Sequence, residues 1–306
     1  MAITVVGSVA FDAIETRVGR RDELLGGSAT YFAIAASKFT ELNLVAVVGE
    51  DFDQRYIDFL AKYADLSGLA VEPGETFRWA GKYSDDMNDR ETLATHLNVF
   101  ADFSPKIPDK YRSCETVFLA NIDPDLQSDV LSALGPGKRL VGLDTMNLWI
   151  NIKRESLKKA LKQVNLLMIN EDELRQLCDE PNVWAAGLKC LGLGPEIVVC
   201  KRGEYGSILF SDGATFALPA FGTHSVVDPT GAGDSFAGAF FGYLDKQKDW
   251  RRAEAQKNAL VLGTVVASFT VEAFGVDGLV EVDKTAMRRR LEGLSRLCDF
   301  AFDFDF

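Results

Sequence analysis

Residues 227–240 read V-D-P-T-G-A-G-D-S-F-A-G-A-F, and their types and spacing could handle an anion. Pro229 and two glycines, Gly231 and Gly233, make a turn that leads into a helix-like run reaching about residue 244. The glycines let the backbone approach a ligand with no Cβ in the way. The amides of residues 231–234 fall at the helix start, where unpaired N–H groups and the positive end of the dipole attract negative charge. A charge-assisted hydrogen bond contributes about 1.5–3 kcal/mol, so three together could stabilise charge on a transferring phosphoryl group. Asp234 stands beside them, placed to accept a proton from an attacking hydroxyl. A plain helix N-terminus, with Asp234 as an acid favoured by the dipole, would explain the same residues without chemistry.

Two other phosphate-binding patterns fail. A dinucleotide fingerprint needs glycine where Phe236 stands. A Walker loop at G-P-G-K-R, residues 135–139, has Arg139 where Ser or Thr should follow the lysine, and Ser132 where its first glycine should be. With only His96 and His224, a histidine triad or a His-rich metal site has little material.

The elements that would position this segment alternate. Apolar, β-rich runs at 3–9, 44–48, 116–120, 139–143, 166–169 and 197–201 predict strands. Several are apolar on both faces, as in a parallel sheet covered on both sides. Between them, 28–39, 54–64, 156–162, 171–178 and 183–191 predict helices, which implies an α/β layer architecture. One stretch breaks the rhythm. Residues 76–83 read T-F-R-W-A-G-K-Y, with Phe77, Trp79 and Tyr83 on one face and Arg78 and Lys82 on the other. A polar turn at 84–91 and a second β-like run at 92–100 complete a period-2 hairpin. It is either an edge hairpin over the core or a lid whose aromatic face closes on a ligand, as water-sensitive transfer chemistry requires.

The chain has 306 residues, with 33 Lys and Arg against 45 Asp and Glu, a formal charge of −12. That length can bury a sizeable core. The acid excess argues against a sequence-independent nucleic-acid binder and against a polybasic membrane-surface protein. It leaves anionic small ligands open, because a few oriented amides can hold a phosphate whatever the net charge. Five cysteines without a C-x-x-C indicate neither a disulfide framework nor a cysteine-rich zinc site. With no basic leader and no 18-residue apolar stretch, the expected setting is a reducing cytoplasm without a membrane anchor.

The D-P-T-G-A-G-D-S-F-A-G-A-F segment resembles the C-terminal signature of the ribokinase-like (PfkB-type) carbohydrate kinases. Further pieces resemble that family in its order: G-S-V-A-F-D at 7–12, Gly26-Gly27 before a helix, V-G-E-D at 48–51, N-E-D-E at 170–173 and K-R-G-E-Y-G at 201–206. The resemblance spans residues 3 to about 275 and implies one ribokinase-like three-layer α/β/α domain over residues 1–306. The implied fold has a mostly parallel central sheet and a small β lid at about 76–100. It also implies roles. Asp234 would be the general base, with Gly231, Ala232 and Gly233 as the anion hole. Asp12 would bind substrate hydroxyls, with Gly26 and Gly27 letting substrate lie against backbone. Lys201, Gly203 and, in the adenine pocket, Asn258 would serve the nucleotide. Asn170 and Glu173 would orient Mg²⁺ through water.

Each role has a structural alternative. Asp12 could be a surface acid after a strand, and the glycine pair a strand-to-helix turn. Asn170 and Glu173 could cap a helix. Lys201 and Arg202 could be a solvated pair. Tyr31 stands where the glycine signature usually has Asn. It either contributes to an aromatic, ring-preferring pocket with the lid or belongs to the core. The reading is an ATP- and Mg²⁺-dependent kinase phosphorylating a hydroxyl of a sugar. The alternatives are a nucleoside kinase of the same fold and a non-catalytic nucleotide-binding homologue. The partner is a small-molecule sugar or nucleoside, and the lid could pair with its twin in a homodimer or cover its own site. Residues 299–306, D-F-A-F-D-F-D-F, predict a strand with one all-Phe face.

Overall fold

The structure, a computed structural model, describes residues 2–212 and 214–299. The predicted strand at 299–306 lies outside the described residues except for Asp299. The strands are β1 (Ala2–Val6), β2 (Ala10–Thr16), β3 (Gly19–Gly26), β4 (Glu41–Gly49), β5 (Asp65–Glu72), β6 (Arg78–Tyr83), β7 (Arg90–His96), β8 (Thr116–Leu119), β9 (Leu140–Asp144), β10 (Leu166–Asn170), β11 (Ile197–Lys201), β12 (Ser207–Ser211) and β13 (Ala214–Leu218). The helices are α1 (Ser28–Ala36), α2 (Gln54–Leu60), α3 (Pro124–Leu134), α4 (Asn147–Ile152), α5 (Arg154–Leu161), α6 (Glu171–Cys178), α7 (Val183–Leu191), α8 (Ala232–Leu244), α9 (Ala253–Thr270), α10 (Asp277–Val280) and α11 (Lys284–Cys298).

Nine strands form the central sheet in the order β13-β12-β11-β10-β9-β8-β1-β4-β5. Seven of them, from β11 to β5, run parallel, and β12 and β13 extend the sheet antiparallel. The wholly apolar runs predicted as covered strands are covered. Residues of β1, β8, β10 and β11 divide between two buried clusters, one on each face. One face carries α1, α8 and α9, the other α3 and α5 to α7. This is the expected three-layer α/β/α arrangement. Among the described residues no helix is long and apolar enough to cross a membrane.

The order reverses beside β1: the chain runs outward to β4 and β5 on one side, then outward from β8 to β11 on the other. In an open α/β sheet such a switch point leaves a crevice at the carboxyl ends of the strands, where ligands bind. Asp144, Asn170 and Lys201 are the last residues of β9, β10 and β11, so three polar side chains share that edge.

A second sheet, β3-β2-β6-β7, stands apart from the first. The predicted hairpin is present as β6 and β7, but a second hairpin, β2 and β3, joins it through the parallel β2–β6 pair. The sequence analysis had merged the start of that hairpin into the first strand, since 3–12 is almost continuously apolar. The run predicted to stay extended to residue 100 ends at His96. Asn98 takes φ 50°, and residues 98–102 turn into a 3₁₀ helix held by its Nδ2 donating to the Thr76 carbonyl at 2.9 Å. Asp51, from V-G-E-D, secures the lid root. Its carboxylate accepts from the Thr76 N–H at 2.7 Å, the Thr76 hydroxyl at 2.6 Å and Arg78 at 2.9 Å.

Helix α8 is seated on the sheet by a side chain that β9 lacks. A Cβ on Gly142 would fall 2.0 Å from the Phe241 ring, which is fully buried and stacks near Phe32 and Phe118. Gly142→Ala should lower the unfolding free energy by about 1–3 kcal/mol, the usual range for overpacking a filled core. Denaturant titration reads this directly. An unchanged midpoint would mean that Phe241 does not set the helix position.

Candidate active site

The first turn of α8 is shaped by three constraints. Gly231 is its N-cap at φ 76°, and a Cβ there would lie 2.4 Å from the Tyr31 ring. Asp228, 1% exposed, accepts from the Thr230 N–H at 2.9 Å and the Gly275 N–H at 3.1 Å, which pins the turn to the loop after α9. The N–H groups of Ala232, Gly233 and Asp234 open the helix, where no i−4 carbonyl of the helix faces them. That of Ala232 also donates to the Pro229 carbonyl at 3.2 Å.

A buried lysine faces this turn. Lys201 reaches Asp144 at 2.7 Å, and a Cβ on Gly233 would lie 3.2 Å from its Nζ. The pair spans three strands, with β10 between. Burial pushes the ammonium pKa down, but Asp144, Asp234 and Glu173 outweigh it and the lysine is held above its usual range. It is the opposite of a solvated surface pair. Arg202 instead turns to Glu171.

The acids pay the reverse penalty. Asp234 is pushed up to about 7, first by burial and then by Asp144, with Lys201 and Arg90 opposing. Asp12 is pushed up to about 7 by burial, Asp228 and Asp234. Glu173 is pushed up to about 7 by burial and Asp144. Asp228 is raised by burial. Carboxyls that titrate near neutrality in a crevice are suited to exchanging protons.

Asp12 is not a surface acid after β1. It lies within β2 of the lid, 5% exposed, and points back toward the sheet. Gly26 makes room for it, since a Cβ there would fall 1.9 Å from Asp12 Oδ2. The Gly27 N–H supports its charged form. Gly27 itself has φ 94°, and a Cβ on it would fall 2.5 Å from the Ser8 carbonyl oxygen. The glycine pair therefore seats Asp12 and starts α1. Tyr31 is 1% exposed with its ring under Gly231. Its hydroxyl is buried without a hydrogen-bond partner among the described residues and is held well above its usual pKa by burial, Asp12 and Asp228.

The lid touches the sheet domain at two points. The Tyr83 hydroxyl lies 3.1 Å from Thr230 Oγ1, and Asn88 Nδ2 donates to Glu204 at 2.9 Å. Trp79 and Tyr83 face inward with Ile14 and Met87. Phe77 does not: it stacks on Phe100 at 5.3 Å in the lid root.

The structure thus brings together Asp234, Gly231, Ala232, Gly233, Asp12, Gly26, Gly27, Tyr31, Lys201 and Glu173. Asn170 and Glu173 form a reciprocal cap: Asn170 Oδ1 accepts from the Glu173 N–H at 2.8 Å, and Glu173 accepts from the Asn170 N–H at 3.1 Å. Gly203 opens a 3₁₀ turn beneath the lid tip, 4.0 Å from Asn88 when given a Cβ. Asn258 is a correction. It donates to the Tyr243 hydroxyl at 3.2 Å, near the end of α8 remote from Asp234. Helix α9 runs antiparallel to α8, with Thr270 on Ser235 and Gly263 on Phe236, so Asn258 lies about 13 Å along the axis from Asp234. Asp144, Asp228 and Arg90 were missed. A carboxylate closing a parallel strand was a legible signal for Asp144. Asp228 stood inside the motif. Arg90 carried no signal, because lid register decides where it points.

Residues 2–282 match the pfkB family carbohydrate kinase profile. The chain is 30% identical over 243 residues to the cytidine kinase of Thermococcus kodakarensis, covering 78% of this chain and 86% of that one. It is 26% identical over 307 residues to the nucleoside kinase of Methanothermobacter thermautotrophicus, covering 94% of each. Among solved structures, a putative ribokinase II from E. coli in complex with ATP and Mg²⁺ superposes with a TM-score of 0.78 at 19% identity, over 94% of this chain and 99% of that one. The chain belongs to the pfkB family of carbohydrate kinases. Membership makes it a phosphotransferase with an alcohol acceptor, as its motifs implied.

The raised acids set a pH dependence. Folded Asp12 and Asp234 keep their protons up to about 7, whereas the unfolded chain releases them near 3.8. Unfolding therefore releases protons between these values, and their contribution to stability is full below 3.8 and lost as pH rises through 7. Asp234→Asn should raise the unfolding free energy of the ligand-free protein by about 1–3 kcal/mol at pH 8 and by less at pH 5. Denaturant titrations at the two pH values measure it. A variant less stable than wild type at pH 8 would contradict the burial argument.

Proposed function

We propose that the chain transfers the γ-phosphoryl group of ATP to a hydroxyl of a nucleoside. The observation that carries this reading is the placement of buried Asp234 in the first turn of α8, beside the helix-opening amides and Lys201. In its charged form Asp234 takes the proton of the attacking hydroxyl. The hydroxyl oxygen forms its bond to the γ-phosphorus in line with the departing ADP oxygen. The amides of Gly231, Ala232 and Gly233 hold the charge that develops on the phosphoryl oxygens. Asp12, fixed by the Gly27 N–H, accepts from acceptor hydroxyls, since a carboxylate takes two such donors at once. The lid excludes water while Trp79 and Tyr83 offer aromatic faces to a ring.

The nucleoside class is favoured over a free sugar by the names of the similar cytidine and nucleoside kinases and by the aromatic lid. Mg²⁺ suits the donor set. Only one oxygen of Glu173 is used by its cap, the site is rich in hard carboxylate oxygen, and acids outnumber the cations Lys201 and Arg90. Glu173 and Asn170 would hold the ion through water, and it would supply neutralising charge to the phosphates. Lys201 and the Gly203 turn line the same side of the crevice for the nucleotide.

A panel of nucleosides and sugars with ATP, read as ADP formed, should show turnover with nucleosides well above that with sugars. Turnover with sugars alone would overturn the acceptor class. Asp234→Asn should lower kcat by about 10²-fold or more while ADP still binds. Near wild-type kcat would remove Asp234 as the base.

A further inference from the structure

Arg90 is the one lid cation whose position answers to the site rather than to the lid. The neighbouring lid cations are committed: Arg78 pairs with Asp51 at 2.9 Å and Lys82 with Glu15 at 2.7 Å. Among the described residues Arg90 has no ion pair within 4.0 Å. It stands opposite Tyr83 in the β6–β7 register, and side chains of such a pair share a face. Tyr83 is 8% exposed and reaches Thr230, the residue before the Gly231 N-cap, so that face looks onto the start of α8. The guanidinium is held over the Trp79 ring, 5.2 Å from its centroid. Two residues before it, Asn88 ties the lid tip to Glu204, just beyond Lys201. The two ties therefore hang Arg90 above the gap between the helix start and the end of β11. Its charge opposes the burial that raises Asp12, Glu173 and Asp234, so it reaches three acids drawn from three elements.

A planar guanidinium with uncommitted donors, facing a phosphate-binding helix start, matches phosphate oxygens in pairs. We propose that Arg90 is a catalytic residue brought by the lid, and that it donates to oxygens of the phosphoryl group in transfer. This rests on the kinase reading above. The bonds made and broken are unchanged by it: acceptor oxygen to phosphorus forms, phosphorus to ADP oxygen breaks, and the proton passes to Asp234. Arg90 holds the charge that grows on the phosphoryl group between them. Because it arrives only with the lid, the amides and Lys201 meet ATP without it until an acceptor draws the lid down. That arrangement favours transfer to the acceptor over transfer to water.

The test compares wild type with Arg90→Met and Arg90→Lys, with folding checked by thermal melting. Arg90→Met should lower kcat by ~10²–10³-fold, with little change in acceptor KM. Arg90→Lys should restore only part, because an ammonium lacks the paired donors. Added guanidinium ion should partly rescue Arg90→Met. By calorimetry, ADP affinity should stay within ~2-fold, while the non-hydrolysable analogue AMP-PNP in the presence of acceptor should bind ~10-fold more weakly. Unchanged kcat, a loss confined to acceptor KM, equal weakening of ADP and AMP-PNP, or no rescue by guanidinium would each overturn the proposal. If Arg90→Met does not fold, Arg90→Gln carries the same comparison. A wild-type protein that phosphorylates no acceptor would end the kinase reading instead, and the ADP against AMP-PNP contrast would then decide Arg90 alone.

Discussion

The site depends on one buried ion pair, Lys201 with Asp144 at 2.7 Å. An ammonium this deep is tolerable only when acids surround it, and acids this deep are tolerable only when a cation does. The pair joins the ends of β9 and β11 across β10, so the parallel sheet must be in register before it can form. Around it stand Glu173 from α6 and Asp234 from α8, with Asp12 reaching in from the lid. Removing the lysine would leave Asp144 buried without a counter-charge and would drive Asp234 and Glu173 further toward their neutral forms.

The same constraint explains the glycines and the tyrosine. Gly231 leaves space for the Tyr31 ring, Gly26 leaves space for the Asp12 carboxylate, and Gly142 leaves space for Phe241. Each empty position on one element is filled by a side chain from another. The helix start, the lid acid and the sheet are thereby fixed relative to each other by packing. The lid adds contacts that need no packed core, Tyr83 on Thr230 and Asn88 on Glu204. Contacts of that kind open cheaply, as a segment that must admit a substrate requires.

Much of this was legible in the sequence, for physical reasons. Helices 171–178 and 183–191 were read to the residue, because Asn170 and Asn182 mark their caps and apolar spacing marks their buried faces. The motif at 227–234 placed the helix start correctly, since only a glycine turn could precede it there. What escaped depends on tertiary pairing. Strands β2 and β3 belong to a second sheet that no local pattern separates from β1. Asn258 was displaced because the antiparallel packing of α9 on α8 decides which end of the helix meets the site. Arg90 looked like any exposed lid charge until the register set it opposite Tyr83.

The central claim is that crowded burial around Lys201 holds Asp234 near neutrality, ready to take a proton. A ¹³C carboxyl NMR titration of the ligand-free protein tests it most directly, with the Asp234 signal assigned by its loss in Asp234→Asn. The account predicts a midpoint near 7 for Asp234. A midpoint near 4, the ordinary value for a solvated aspartate, would contradict it.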